Sequence, residues 1–237
     1  MNLPAWIVTD LDETLLHDDR TISERSMEAI RAIRQKGVRF AIATTRNQAY
    51  AQSYIEQLEP DAMVLSGGAI GYMGETLAYR QTIEHGHTAH LLDRFFTSFA
   101  PKDLVVDTTS GRFDRTRPIE QPFSRDVLSM FIWLHPDQAI EHLGTCDGKL
   151  EITALWQPRM YRVSHHRATK MWALRAILSE YDPKDVVCFG DDLMDVGMLG
   201  HFRGVAVANA QAQAKAAAAE ITASNEEDGV ARWIERL

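Results

Sequence analysis

The chain has 237 residues, 45% hydrophobic and 24% charged, which is the composition of a soluble globular protein of roughly one or two domains and excludes disorder and fibre. Asp and Glu outnumber Lys and Arg by 33 to 25, for a net charge of -8, so a nucleic-acid backbone or an anionic membrane finds no basic counterpart here. No apolar run approaches the ~20 residues that span a bilayer, the acidic N-terminal stretch does not read as a signal peptide, and Cys146 and Cys188 are too few for a disulfide framework.

Pro4 to Asp10 is an apolar run too short for a helix, rich in Trp, Ile and Val, and it ends abruptly in carboxylates; it reads as a buried strand. Thr21 or Ser23 can cap a helix that carries Met27, Ile30 and Ile33 on one face and stops at Gly37. Val38 to Thr44 repeats the strand pattern. After Asn47, the residues Tyr50, Tyr54, Ile55 and Leu58 fall at helical spacing up to Pro60, and Ala62 to Leu65 follows as a third strand. This rhythm predicts right-handed crossovers and a doubly wound, mostly parallel α/β sheet with its ligand at the carboxyl ends of the strands.

The rhythm breaks over residues 82–163, which offer one aromatic helix (Leu91, Leu92, Phe95, Phe96, Phe99) and strand-like pieces at Leu104 to Asp107, Val127 to Leu134, Leu150 to Leu155 and Met160 to Val163. An α+β insert is expected there, with residues 1–81 and 164–237 forming the split core. The core resumes with a helix through Lys170, Ala173, Leu174 and Ile177, a strand at Val186 to Phe189, the loop Gly190-Asp191-Asp192, a short strand at Val205 to Val207, and an Ala-rich amphipathic helix over Ala214 to Ala219.

Asp10 and Asp12 stand two residues apart at the tip of the first strand. At that spacing one carboxylate can face a ligand while the backbone carbonyl and side chain of the other flank it, an arrangement suited to a hard cation together with an electrophile. Alone, the pair is an ordinary acidic loop. However, Thr44 ends the second strand, Lys170 opens a helix, and Asp191, Asp192 and Asp195 follow another strand, so each polar cluster falls where a parallel sheet gathers its strand ends.

Other motifs carry less. Ser66-Gly-Gly-Ala-Ile-Gly71 lacks the first glycine of a dinucleotide fingerprint and leads into a strand, and Gly144 to Lys149 is too short for a P-loop. His85, His87, His90, His165 and His166 read as solvated, since no Cys or carboxylate completes a ligand set at the right spacing. Arg112, Arg115 and Arg117 form either a solvated hairpin edge or a substrate-facing cluster, because guanidinium forks suit phosphate or carboxylate.

Taken in order, Asp10 to Thr14, Thr44-Thr45-Arg46, Gly67-Gly68-Ala69, Lys170, Gly190 to Asp195, Val207 to Ala210 and Asn225 to Val230 resemble the haloacid-dehalogenase-like (HAD) phosphohydrolases. More narrowly, the set is similar to the Cof-type, subfamily IIB branch with a C2B cap. That branch shows DxDGT or DxDET, TGR, NGA, a lone Lys, GDxxND, VxNA and a late NxxxGV. The resemblance covers nearly all of the core, while the insert matches a cap by position and length only.

Without a spanning run or a signal-peptide pattern, the cytoplasm is the expected location, and a monomer or small homo-oligomer is expected. The resemblance implies a Mg²⁺-dependent phosphatase acting on a small phosphorylated metabolite, with sugar or polyol phosphates favoured. Asp10 would be the nucleophile that takes the phosphoryl group, Asp12 the general acid and then base, Thr44 a donor to a phosphoryl oxygen and Lys170 a counter-charge. Mg²⁺ would be held by Asp10, the Asp12 carbonyl and Asp191, with Asp195 in its outer surroundings. Thr45, Arg46, Gly68 and Asn209 would meet the substrate, and the cap would offer Arg112, Arg115 and Arg117.

Three positions depart from the pattern: Thr45 replaces the Gly of TGR, Gly67 the Asn of NGA, and Met194 the Asn of GDxxND. Mg²⁺ binding is expected to persist, with looser support around it. Two alternatives stand beside the phosphatase: a phosphomutase using the same intermediate, and a sugar-phosphate-binding regulatory protein impaired in turnover.

Overall fold

The computed structural model describes residues 3–95, 97, 100–114, 126–143, 148–155 and 157–237. The first apolar run forms β1 (Trp6–Thr9), every residue of it buried. The first predicted helix is α1 (Glu24–Gln35), capped by the Ser23 side chain, which accepts from the Ser26 amide. It ends at Gly37, whose φ of 88° is the left-handed conformation glycine adopts without a Cβ penalty. β2 (Arg39–Ala43) follows, then α2 (Gln48–Leu58), which starts at an Asn47 cap, and β3 (Ala62–Leu65).

Two more strands then extend the sheet: β4 (Ile70–Met73), antiparallel to β3, and β5 (Thr76–Arg80) at the edge. After the insert, the chain returns through α4 (Lys170–Ile177), β11 (Val186–Gly190), α5 (Val196–His201), β12 (Arg203–Ala206), α6 (Ala212–Ala217), β13 (Glu220–Ile221) and α7 (Gly229–Ile234). α6 ends before Ala219, because Ala218 is already extended (ψ 147°) and leads into the pairing of β13 with β12.

The eight strands lie in the order β13-β12-β11-β1-β2-β3-β4-β5. β1 pairs in parallel with β2 on one side and β11 on the other. The chain therefore winds outward from β1 in one direction, then returns to its opposite edge. Ile7, Phe40, Ile42 and Phe189 face α1, α2 and α7 on one side, and Trp6, Val8, Ala41 and Cys188 face α4, α5 and α6 on the other. Such near-continuous burial on both faces is what an unbroken apolar strand requires. The loops after β1 and β11 diverge at this reversal, the switch point where open α/β sheets take their ligands.

The chain divides into two compact units, residues 1–79 with 169–237, and residues 80–168. The second unit contains α3 (His85–Arg94) and a five-stranded antiparallel sheet of β6 (Asp103–Thr108), β7 (Gly111–Phe113), β8 (Val127–Trp133), β9 (Leu150–Ala154) and β10 (Met160–His165), in the order β7-β6-β8-β10-β9. Leu91, Leu92 and Phe95 pack on Val106, Met130, Ile132 and Val163, a core of its own. Phe96 and Phe99 lie outside the described residues. β10 runs past residue 163, because its ladder with β9 continues to the His165–Leu150 pair. Among the described residues, no helix is long and apolar enough to cross a membrane.

Candidate active site

The first strand continues briefly beyond its last residue. The Asp10 amide donates to the Phe189 carbonyl (3.0 Å), and the Thr9 hydroxyl donates to the Asp10 carbonyl (2.7 Å). The chain then makes a one-turn π-type bend over Leu11–Leu15, in which Asp12 is extended (φ -64°, ψ 134°) and Glu13 is left-handed (φ 56°). The Leu16 amide closes it by donating to the Leu11 carbonyl (2.8 Å). From inside this turn, the Thr14 hydroxyl donates to Asp191 Oδ1 (2.7 Å), which stitches the loop after β1 to the loop after β11.

Lys170 lies at the centre. It is completely buried, and its ammonium contacts Asp10 Oδ1 at 2.9 Å and Asp195 Oδ1 at 2.6 Å. Two glycines make this approach possible. At Gly68 (φ 96°) a Cβ would overlap the Thr169 carbonyl group, so only glycine lets the start of α4 come down onto the loop after β3. At Gly190 a Cβ would lie 2.6 Å from the Cβ of Asp195, so only glycine leaves room for that carboxylate behind β11.

Both Asp195 oxygens are committed. Oδ1 accepts from Lys170, and Oδ2 accepts from the amides of Asp191 (3.0 Å) and Asp192 (3.3 Å). It therefore orients both Lys170 and the acidic loop.

Oxygens of Asp10, Asp191 and Asp195 lie within 4.8 Å of one another. Burial pushes the Asp10 carboxyl well above the usual range; Lys170 pulls it down, while Asp195, Asp191 and Asp192 add to the rise. Asp191 is pushed up to about 8, first by burial and then by Asp195 and Asp192, against the Thr14 hydroxyl and Lys170. For Lys170, burial works against the charge, but Asp10, Asp195 and Asp192 outweigh it and hold the ammonium above its ordinary range. One ammonium thus faces several carboxylates withdrawn from water. An all-oxygen donor set with excess negative charge fits a hard divalent cation such as Mg²⁺.

Around this centre, Thr44 is fully buried, its amide donating to Val64 O (2.8 Å) and its hydroxyl oxygen accepting from the Arg46 amide (3.1 Å). Arg46 does not extend into open space. Its Nε and Nη2 donate to Asp12 Oδ2 (2.8 Å) and Oδ1 (2.6 Å), a two-pronged fork. Thr45 is not among the described residues with positive φ, so a β-branched side chain meets no left-handed strain there. Gly67 has φ 65°, a conformation that Asn also tolerates, so this replacement preserves the turn. Met194 is buried, and its amide donates to Asp192 Oδ1 (2.8 Å).

Several residues expected to meet the substrate also tie the fold together. The Asn209 amide is engaged at both ends, donating to Glu13 O (2.7 Å) and accepting from the Asn225 amide (3.0 Å), so it ties loops together. Gly68 serves the close approach of α4. Arg112 is forked onto the buried Asp107 (2.7 and 2.8 Å), which neutralises its charge within the insert. Arg115 and Arg117 lie outside the described residues. Sequence reasoning did not single out Thr14 and Gly190, although both fall inside quoted motifs; the purpose of Thr14 appears only when the two strand-end loops are adjacent, and that of Gly190 only when Asp195 folds back against it.

A family model described as haloacid dehalogenase-like hydrolase matches residues 7–115 and 117–234. The 5-amino-6-(5-phospho-D-ribitylamino)uracil phosphatase YcsE of Bacillus subtilis is 28% identical over 238 residues, covering 96% of this chain and 93% of its own length. The phosphoglycolate phosphatase of Methanobrevibacter smithii is 24% identical over 240 residues, covering 100% of this chain and 99% of its own. Among solved structures, a HAD subclass IIB sugar phosphatase superposes with a TM-score of 0.82 at 21% identity, covering 98% of each chain.

Proposed function

The chain belongs to the haloacid dehalogenase-like hydrolase family and is a phosphatase, and from that premise we propose that it hydrolyses monoesters of small phosphorylated metabolites, sugar or polyol phosphates foremost, in the cytoplasm. The observation that carries this reading is the buried Asp10 carboxylate, paired to a fully buried Lys170 and flanked by Asp191 at the switch point of the sheet.

In the first step an Asp10 oxygen attacks phosphorus, an acyl phosphate forms, and the ester P–O bond breaks. The leaving alkoxide takes a proton from Asp12. In the second step Asp12 accepts a proton from water, whose oxygen attacks phosphorus, releasing inorganic phosphate and restoring Asp10. Lys170 stays protonated throughout and offsets charge on Asp10 and the equatorial oxygens. The Thr44 hydroxyl oxygen accepts from the Arg46 amide, so its proton remains for a phosphoryl oxygen. Mg²⁺ held by the carboxylates of Asp10 and Asp191 and the Asp12 carbonyl would neutralise the phosphoryl dianion and supply electrophilic polarisation. We assign selection of the leaving group to the inserted unit, residues 80–168.

A panel of phosphate monoesters with Mg²⁺ tests the reading, with inorganic phosphate release as the signal. Release by the wild type and its loss in Asp10→Asn are expected; no release on any ester would overturn it.

A further inference from the structure

The Asp12 side chain is 40% exposed and sits on a turn with no helical ladder around it. Left alone, a carboxylate so exposed rotates freely about two bonds. A general acid must instead hold its proton within about 3 Å of the leaving oxygen in a fixed direction. Arg46 supplies what the turn lacks.

Its side chain is largely buried, at 16% exposure, and its guanidinium is itself held from two further sides. Nη1 donates to the Tyr50 carbonyl (3.2 Å), and Cζ lies 4.8 Å from the centre of the Tyr54 ring. The Tyr54 hydroxyl in turn donates to the Arg20 carbonyl (2.9 Å). The main chain of Arg46 is pinned as well, its amide donating to Thr44 Oγ1 and its carbonyl accepting from the Ser66 amide (2.8 Å). A guanidinium fixed in this way presents a rigid fork, and the fork sets both the plane and the rotation of the Asp12 carboxylate. Each carboxylate oxygen accepts one N–H and keeps a second lone pair for the travelling proton.

We infer that Arg46 is a positioning residue for Asp12, aiming its carboxylate at the leaving group, and not a ligand of the phosphoryl group. The inference rests on the phosphatase reading above. It separates the two halves of the reaction. An alkoxide leaving group needs Asp12 as acid, whereas p-nitrophenolate departs without a proton. Loss of Arg46 therefore harms phosphoryl transfer from alkyl esters and spares it for the aryl ester, while removal of the phosphoryl group from Asp10 by water slows for both.

The test uses Mg²⁺-saturated wild type, Arg46→Met, Arg46→Lys and Asp12→Asn, with p-nitrophenyl phosphate and the best alkyl phosphate of the panel. For Arg46→Met, kcat/KM on the alkyl ester is expected to fall about 10²-fold, the lower end of what a positioned general acid contributes. On the aryl ester, kcat/KM should stay within about threefold, since no lost interaction bears on that transition state. Rapid mixing with the aryl ester should show a burst of p-nitrophenolate. Arg46→Lys, which retains charge without the fork, should reproduce the same split with a smaller loss. Asp12→Asn/Arg46→Met should be no worse than Asp12→Asn alone.

Equal losses in kcat/KM on both esters would make Arg46 a phosphoryl ligand and overturn the inference while leaving the phosphatase reading intact. Wild-type kinetics in both Arg46 variants would overturn it too. A wild type inert on every ester would remove the phosphatase reading and this inference together.

Discussion

At the scale of single residues, the site is governed by the crowding of carboxylates around one buried ammonium. The rise of Asp10 and of Asp191, the latter to about 8, comes first from burial and then from the acidic neighbours. A carboxyl whose folded pKa is raised favours the folded state most below the unfolded value of about 3.9, and that contribution is lost as pH rises through the folded value. The metal-free protein should therefore lose stability as pH climbs towards about 8, the value to which Asp191 is raised. Mg²⁺ at this site would bind the deprotonated carboxylates, so its affinity should increase over the same interval and level off above it. Calorimetric titration with Mg²⁺ at pH 6 and pH 8.5 checks this; the same affinity at both would contradict it. Asp10 and Asp191 stood out in the sequence as carboxylates that follow apolar strands, and Lys170, at the start of a helix, only in conjunction with them. The duties of Gly68 and Asn209 were not legible there, since each depends on a neighbour distant in the chain.

At the scale of elements, the turn after β1 is held from outside by the C-terminal segment. The buried Asn225 side chain donates to the Leu16 carbonyl (3.1 Å) and to Asp18 Oδ1 (3.1 Å), and His17 Nε2 lies 3.0 Å from Asp228 Oδ1. Asn225→Ala leaves the Leu16 carbonyl without that donor, which should cost about 1–3 kcal/mol in urea unfolding. It should also lower kcat, because the turn that carries Asp12 loosens. Unchanged unfolding and turnover would contradict this reading of the motif. The buried strands β1, β2, β3 and β11 announced themselves as apolar runs. The edge strands did not: β5 is mostly exposed and so has no apolar signature, and β13 is two residues long. The end of α6 was equally silent, since alanine carries no stop signal and the pairing of β13 with β12 decides it.

For the whole molecule, a change of rhythm in the sequence reflects a change of architecture. A parallel sheet buried on both faces gives way to an antiparallel sheet with one helix and its own core, then resumes. The net charge of -8 is partly concentrated at one place, where Asp10, Asp191, Asp192 and Asp195 gather around Lys170. Such a gathering of carboxylates fits a hard cation such as Mg²⁺. The central claim is that the phosphoryl group passes through Asp10. It is tested most directly by acid-quenching the enzyme during turnover of its best ester and mapping phosphate by peptide mass spectrometry. The account predicts phosphate on the peptide that contains Asp10, absent in Asp10→Asn. Turnover with no phosphorylated peptide, together with wild-type activity in Asp10→Asn, would contradict it.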